Sequence, residues 1–406
     1  MQASRRRARD TAGPIDDSEV PTLFAGLLQR VQADGYTGYE WGDVLNSPML
    51  ERIPRRSLMA ARVLIQIGSR SPVNVRPLLR VPRSSSTKGM GFVAKGLLKA
   101  HRALGEQGWL VEAEHLLDRL LRYPSEGYSG LGWGNDFDFA SRGGFYPKGI
   151  PTVVWTSHIG EAFLLAFETT QDERYRDAVV SGARFVLNDL ERHEDEDGVC
   201  IAYAPGRLNL VHNSNLLGGV ALLRAWRITG EAEYFEVARE AYRWSLSHMA
   251  RDGSFRYGVG SEWGWVDNFH TGYVLDCLLE GRHLGGDEIA SGEAIDLAFG
   301  YWRDNFFLDD GAPKYYNDRA HPFDIQCAAQ AIETFCRFSA RTPEALDRAR
   351  LVLTWTVGNM MRRDGYFMYR RGRYFNNRLA CFHWGQATML DAMGSFIEGT
   401  TKAAPR

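Results

Sequence analysis

A repeat of about 57 residues limits what this chain can fold into. Five stretches share one shape, a polar or aromatic start followed by an apolar helix. They are VVWTSHIGEAFLLAFE ending at Glu168, NLVHNSNLLGGVALLRAW at Trp226, EWGWVDNFHTGYVLDCLLE at Glu280, HPFDIQCAAQAIETF at Phe335 and CFHWGQATMLDAMGSF at Phe396. Aligning them puts Trp155, His212, Asp267, Asp324 and His383 in one column, with steps of 57, 55, 57 and 59 residues. Thr87, ahead of MGFVAKGLLKAHRAL, makes a sixth member. Asp-Gly pairs keep the same beat at Asp197, Asp252, Asp310 and Asp364. Two independent markers with one period indicate a repeat architecture.

Between the column helices lie amphipathic stretches with apolar residues at i, i+3, i+4 and i+7, such as Phe235, Ala238, Tyr242 and Leu246. Five of them follow column helices: Trp109 to Leu121, Glu173 to Glu191, Ala232 to Met249, Glu293 to Phe307 and Glu344 to Met361. Arg55 to Ile67 is the expected sixth partner, and Pro21 to Ala33 reads as a separate first helix. Column helices look small and apolar all round, which suits an inner ring packed on both sides, and the partners carry one charged face, which suits an outer ring. Six of each predict an all-α (α/α)6 toroid with small β-hairpins in its loops. An open helical stack is the structural alternative. The expected domain layout is a disordered basic tail over residues 1–20, one toroid over 21–399 and a short tail over 400–406.

The links are asymmetric. Inner-to-outer links are short, whereas outer-to-inner links are long and aromatic, and long loops with their own chemistry are usually functional. They gather at the N-terminal ends of the inner helices, so the site is expected on that face. Partner classes can then be narrowed. A net charge of −2 argues against a general nucleic-acid binder. No apolar run approaches a membrane span, and five cysteines without framework spacing fit a reducing compartment, so a cytoplasmic location is expected.

Helix N-termini favour carboxylates and lower the pKa of a nearby imidazole. The rim carries His158, then His212, Asn213 and Asn215, then Asp267 with His270, Asp324 with Gln326 and Cys327, and His383 with Gln386. The three-residue step from Asp267 to His270 puts both on one helix face. Capping alone would explain the Asp residues but not the histidines. In LGWGNDFDFASRGGFYPKG, Asp136 and Asp138 alternate with phenylalanines, so an extended segment would point both carboxylates one way. Paired carboxylates suit glycosidic cleavage. Trp155, Tyr257, Trp265 and Trp384 suit stacking on sugar rings, and aromatics with convergent polar groups describe a ligand cleft. Cys327, Cys381, His383 and Asp324 would be zinc ligands in an outlying reading, but without a CxxC or HxxxH spacing no metal or other cofactor is expected.

At Tyr36 to Pro48 the chain resembles poorly characterised bacterial and archaeal polysaccharide biosynthesis proteins, whose opening motif is roughly Tyr-x-Gly-Tyr-Asp-Pro-Tyr-Asp-x-Leu-Asn-Ser. Tyr36, Gly38, Tyr39, Asp43, Leu45, Asn46 and Ser47 match it, and Glu40, Trp41 and Gly42 replace its Asp-Pro-Tyr. The resemblance implies an (α/α)6 fold and a place in surface-glycan synthesis, and it transfers no catalytic residues. The repeat is also similar to toroidal glycosidases, uronate lyases and sugar epimerases, a likeness of fold and not of function.

Three functions follow as expectations, each with an oligo- or polysaccharide as the partner. The first is hydrolysis, with Asp267 or Asp136 as base, Asp324 or Asp138 as acid, and His270 and His212 orienting the sugar. The second is uronate elimination or epimerisation by His270 or His383, with Asn215 or an arginine neutralising the carboxylate. The third is glycan binding without turnover.

Overall fold

The computed structural model describes residues 13–50 and 57–403. Six helices form an inner ring: α3 (Thr87–Leu104), α5 (Val153–Thr170), α7 (His212–Thr229), α9 (Asn268–Gly285), α11 (Ile325–Phe338) and α13 (Thr388–Ala403). Each packs on the next, and α13 returns to α3. The closing seam is tight because two glycines face each other across it. A Cβ on Gly394 would lie 2.5 Å from the carbonyl oxygen of Gly96, and one on Gly96 would lie 2.5 Å from that of Leu390.

Outside this ring lie α4 (Gln107–Arg122), α6 (Glu173–Asn188), α8 (Ala232–Ser247), α10 (Gly292–Asn305) and α12 (Glu344–Met360). The sixth outer helix is α1 (Val20–Ala33), which packs on α13. This corrects the expectation that Arg55 to Ile67 fills that place. Phe24, Leu27, Leu28 and Val31 of α1 join the main core, whereas α2 (Leu58–Arg70) lies over the loops, with Ala61 and Ile65 against Leu45 and Ala140. Residues 55 and 56 lie outside the described residues.

The Asp-Gly beat has a physical basis that also identifies α1. Gly198, Gly253, Gly311 and Gly365 all have positive φ, and a Cβ on each would strike Glu240 of α8, Leu297 of α10, Leu351 of α12 and Arg30 of α1 respectively. Each turn therefore docks on the next outer helix, and the last docks on α1. Only glycine combines that φ with that approach. The architecture is the expected (α/α)6 toroid.

Both ends of the fold exceed the expected boundaries. Asp16 caps a 3-10 turn at Asp17–Glu19, Ile15 is buried with its N–H donating to Thr354 Oγ1 at 3.0 Å, and Asp17 pairs with Arg350 at 2.7 Å. Residues 15–20 are thus part of the packed fold, where a tail was expected, and residues 1–12 lie outside the described residues. At the other end α13 runs through Ala403, past the expected boundary at Gly399, and residues 404–406 lie outside.

The short links hold. Between inner and outer helices the chain turns through left-handed Gly105, Gln171 and Gly230. Among the described residues the long links form two hairpins, a two-stranded pairing and a three-stranded sheet. The hairpins pair β3 (Phe139–Ser141) with β4 (Gly144–Tyr146) and β5 (Arg192–Asp195) with β6 (Gly198–Ile201), and β1 (Thr37–Gly38) pairs with β2 (Ser84–Ser85) across the segment that carries α2. The sheet joins β7 (Phe323–Asp324), β8 (Arg370–Arg371) and β9 (Asn376–Asn377). Among the described residues no helix is long and apolar enough to cross a membrane.

The inner helices are not apolar all round. Their axial stripes carry Lys95, Lys99, Glu161, Arg224, Asp276, Glu280, Glu333, Arg337 and Asp391, and these fill the toroid's axis. Lys95 pairs with Glu161 at 3.0 Å and Asp391 at 2.8 Å, and Lys99 with Glu333 and Asp391 at 2.8 Å each. Arg224 pairs with Glu280 at 2.6 Å and Arg337 with Glu333 at 2.8 Å. Burial alone would raise the Glu161 carboxyl, yet Arg337, Lys95 and Arg224 hold it well below the usual range. Buried charges persist only when paired in this way. The network plugs the axis and leaves a cavity of about 30 Å³, room for one or two waters.

Candidate active site

The column marks the inner-helix starts on the face that carries the long loops. Asp267 and Asp324 are the N-caps of α9 and α11, Thr87 and His212 are the first residues of α3 and α7, and Trp155 lies three residues beyond the Thr152 cap of α5. At His383 the helix opens with a π turn, Phe382–Ala387, ahead of α13. Glu40 holds that turn, with its carboxylate accepting the N–H groups of His383 at 2.5 Å and Trp384 at 3.3 Å.

The centre of the face is a dyad on α9. Asp267 is fully buried, its Oδ1 accepts the His270 N–H at 3.0 Å, and its Oδ2 faces His270 Nδ1 at 2.7 Å and accepts the Trp265 indole N–H at 2.8 Å. The carboxylate fixes the ring through Nδ1 and leaves Nε2 free, on a ring that is partly exposed. Tyr257 stacks on Trp265 at 4.6 Å and abuts His270 at 4.5 Å. Arg142 lies over Trp265 at 5.0 Å. One turn further along α9 is Tyr273, whose hydroxyl accepts from Gln326 at 2.8 Å.

Asp324 sits differently from the general acid expected of it. It is buried, its Oδ1 accepts from Gln326 N and Trp384 Nε1, and its Oδ2 accepts from Arg370 Nε and Nη2. Arg370 in turn spans Tyr315 and Tyr369 at 5.2 and 4.8 Å. Asp324 therefore anchors the aromatic floor. Trp384 bridges this anchor to Phe269 at 5.4 Å and to Trp41 at 5.5 Å. Glu40 and Trp41, which depart from the motif of the proteins resembled, thus build the floor.

Opposite the dyad, on α3 and α5, is a second corner. Lys88 is buried, with its ammonium 4.6 Å over the Trp155 ring, 5.2 Å over Phe92 and 5.7 Å over Tyr273. His158 packs on Phe92 at 5.0 Å and Tyr273 at 4.9 Å, and His383 on Trp155 at 5.7 Å. Burial, helped by Lys95, pushes the Lys88 ammonium down to about 7, and burial with Lys88 holds His158 well below the ordinary imidazole range. Sequence reasoning missed Lys88. Its one signal was its place directly after Thr87 in the column.

Two expected residues, His212 and Asn215, fall away from the site. His212 faces outward from α7, among Trp244 at 5.1 Å, His248 at 5.6 Å and Phe255 at 5.8 Å, and burial lowers it to about 3. Asn215 is consumed by the fold. Its Oδ1 accepts from Ile201 N, and its Nδ2 donates to Ala241 O and Ser245 Oγ. Asn213 sits on the axial side one turn above Leu217, with its Oδ1 buried and without a partner among the described residues. The Asp136 and Asp138 pair is not formed as expected, because the chain bends at Asp136 and the strand begins only at Phe139. Asp138 accepts the Lys148 N–H within its loop at 2.8 Å, and Asp136 accepts from Ser85 Oγ at 2.9 Å at the α3 edge of the cleft. Burial raises the Asp136 carboxyl.

Cys327 packs with Phe269 and Tyr273, and Cys381 with Tyr369 and Leu379. Among the described residues no three His, Cys, Asp or Glu side chains converge as a metal site. A groove of about 500 Å³ lies to one side, between the end of α1 and the 362–382 loop, and Arg83 and Arg362 along it are already paired with Asp34 and Asp364.

No family model matches the chain, and no curated protein matches it in sequence. Solved structures match its fold. A cellobiose 2-epimerase from Bacillus thermoamylovorans superposes over 79% of this chain and 88% of its own, with a TM-score of 0.61 at 13% identity. A GH76 α-mannanase from Bacteroides thetaiotaomicron covers 79% and 87%, at 0.62 and 11%. A glycosyl hydrolase of family 88 from Bacteroides vulgatus covers 95% and 100%, at 0.61 and 9%. The chain belongs with these proteins in the (α/α)6 toroid fold, and at such identities the fold is what they share.

Proposed function

We propose that the chain is a carbohydrate-active enzyme that moves a proton on its sugar substrate, with His270 as the base and Asp267 as its positioning residue. The observation that carries this reading is the 2.7 Å contact between Asp267 Oδ2 and His270 Nδ1, with a carboxylate that is buried and an imidazole that is partly exposed on the loop-bearing face. A carboxylate behind an imidazole fixes its tautomer and stabilises the imidazolium formed on proton uptake. His270 Nε2 takes the hydrogen from a sugar carbon next to a carbonyl or carboxyl group, and the C–H electron pair moves into that group as an enolate. Returning the proton to the other face epimerises the carbon. Expelling a neighbouring oxygen substituent forms a double bond instead. Trp384, half-buried on the aromatic floor, supplies apolar surface for the ring, and the fold's occurrence in a sugar epimerase and in two glycosidases supports a sugar at this face.

Hydrolysis is the second reading, and Asp136 favours it, because burial shifts its carboxyl upward, the direction a general acid needs. The other expected partners weaken it, since both oxygens of Asp267 and of Asp324 are taken by protein donors. The test is to incubate the protein and its His270→Ala variant with neutral and acidic oligosaccharides. Epimerised sugar, or an ultraviolet-absorbing unsaturated product, lost in the variant, is the expected result. New reducing ends without either change, retained in His270→Ala and lost in Asp136→Asn, would establish hydrolysis. Binding without any conversion would establish a glycan-binding role.

A further inference from the structure

Three lysines follow one another down the axial side of α3, and they are treated differently. Lys95 and Lys99 each meet two carboxylates, Glu161 with Asp391 and Glu333 with Asp391. Lys88, at the mouth, is 4% exposed and takes part in no hydrogen bond or ion pair among the described residues. Three aromatic faces meet its ammonium, and Glu40, whose charge bears on it, gives its oxygens to the N–H groups of His383 and Trp384.

More polar atoms at the same corner are left without partners. Trp155 Nε1, His158 Nε2 and His383 Nε2 are buried and unpaired among the described residues. A desolvated cation costs free energy unless an anion joins it, and unpaired buried polar atoms, the Trp155 N–H donor among them, add to that cost. The corner therefore lacks one acceptor-rich group of a single negative charge. A phosphate dianion would leave half of its charge unmatched by one ammonium, whereas a carboxylate matches it.

We propose that Lys88, with Trp155 and His158 beside it, forms the subsite for the carboxylate of a uronic acid residue, so that the substrates are uronic-acid glycans. The inference rests on the proton-transfer reading above and names its substrate class. The positions agree with that chemistry. Lys88 is on α3 and His270 on α9, three helices away around the ring, with Tyr273 between them, 5.7 Å from the ammonium and one turn from His270. A carboxylate held at Lys88 acidifies the adjacent C–H toward His270, and the enediolate formed when that proton leaves puts its added charge against the ammonium.

The experiment is calorimetric titration of the full chain with oligomers of glucuronic, galacturonic and mannuronic acid, with their carboxyl-reduced counterparts, and with inorganic phosphate. Expected is that at least one uronic oligomer binds about tenfold tighter than its reduced form. Lys88→Arg keeps that preference and Lys88→Met removes it while still binding the reduced form. Two buffers of different ionisation enthalpy, at about pH 8, should also report proton uptake on binding to the wild type and none in Lys88→Met, because the bound carboxylate restores the lysine's proton. Thermal melts confirm that each variant is folded. Equal affinity for acidic and reduced oligomers, a preference surviving in Lys88→Met, or phosphate bound in place of the uronic oligomers would overturn the subsite. If neutral oligomers alone are bound and are epimerised, the subsite falls and the proton-transfer reading stands. If none of the glycans binds, both fall.

Discussion

Replacing Lys88 with methionine should stabilise the protein, by an amount that depends on pH. The lysine falls from its ordinary 10.5 to about 7, chiefly through burial. At ~1.4 kcal/mol per unit, that difference sets a ceiling on the order of 5 kcal/mol. Structural relaxation and water entry at the cleft mouth bring the expected gain to roughly 2 to 3 kcal/mol. The sign follows from proton counting. Between about pH 7 and 10.5 the unfolded chain holds a proton that folded Lys88 has released, so wild-type stability from this group rises with pH across that window. Below about pH 7 both states are protonated and the penalty is complete. Urea denaturation at about pH 6 should therefore show Lys88→Met more stable than wild type, with the gap closing by about pH 10. The other charged groups facing Lys88, namely Lys95, Glu40, His158 and His383, are common to both proteins and cancel in the difference to first order. A gap that stays constant with pH, or a variant less stable at about pH 6, would refute an unpaired buried ammonium at this position.

Three further changes test other parts of the account. Arg76→Ala leaves Asp43 buried without its partner, since the two side chains are 1% and 0% exposed, and should cost about 3 to 5 kcal/mol in urea titration. Burial already raises Asp43 to about 6, so the folded state holds its proton longer than the unfolded one, and the variant's stability should fall more steeply than wild type between about pH 4 and 7. A cost under about 1 kcal/mol would contradict this. Gly96→Val forces apart the α3 and α13 backbones at the seam and should lower stability by roughly 3 kcal/mol, and an unchanged melting temperature would mean that the ring does not close there. Asp267→Asn keeps the helix cap but removes the anion behind His270, so kcat should fall roughly a thousandfold with KM little changed, and a change confined to KM would reassign Asp267 to substrate binding.

The sequence carried the ring because helix starts are local events. A cap such as Asp267 or Asp324 bonds to a backbone N–H two or three residues on, so its repeat marks inner helices whatever surrounds them. The Asp-Gly beat was legible for the same reason. Features that depend on which way a helix is turned were not. His212 and Asn213 are neighbours, yet one step of the helix sends the first outward to Trp244 and keeps the second on the axial side. The axial charges escaped notice because Lys95 or Glu161 on an otherwise apolar helix reads like an occasional solvent contact, and a toroid's axis is an environment the 3.6-residue period does not distinguish from solvent. The place of α1 depended on contacts between chain positions more than 300 residues apart, such as Arg30 with Asp364, and α2 is the helix nearer to α3 in sequence. The carboxylate pair at Asp136 and Asp138 assumed an extended segment, and a bend at Asp136 separated their roles.

The central claim is that the Asp267–His270 dyad removes a proton from a sugar carbon, and solvent isotope exchange measures that step directly. Uronic-acid oligosaccharides incubated with the protein in heavy water would be examined by proton NMR, beside His270→Ala and Asp267→Asn. The account predicts deuterium entering at the carbon next to the carboxylate, or loss of that hydrogen with formation of a double bond, in the wild type and in neither variant at comparable rates. Cleavage of the glycan with that hydrogen fully retained would contradict it.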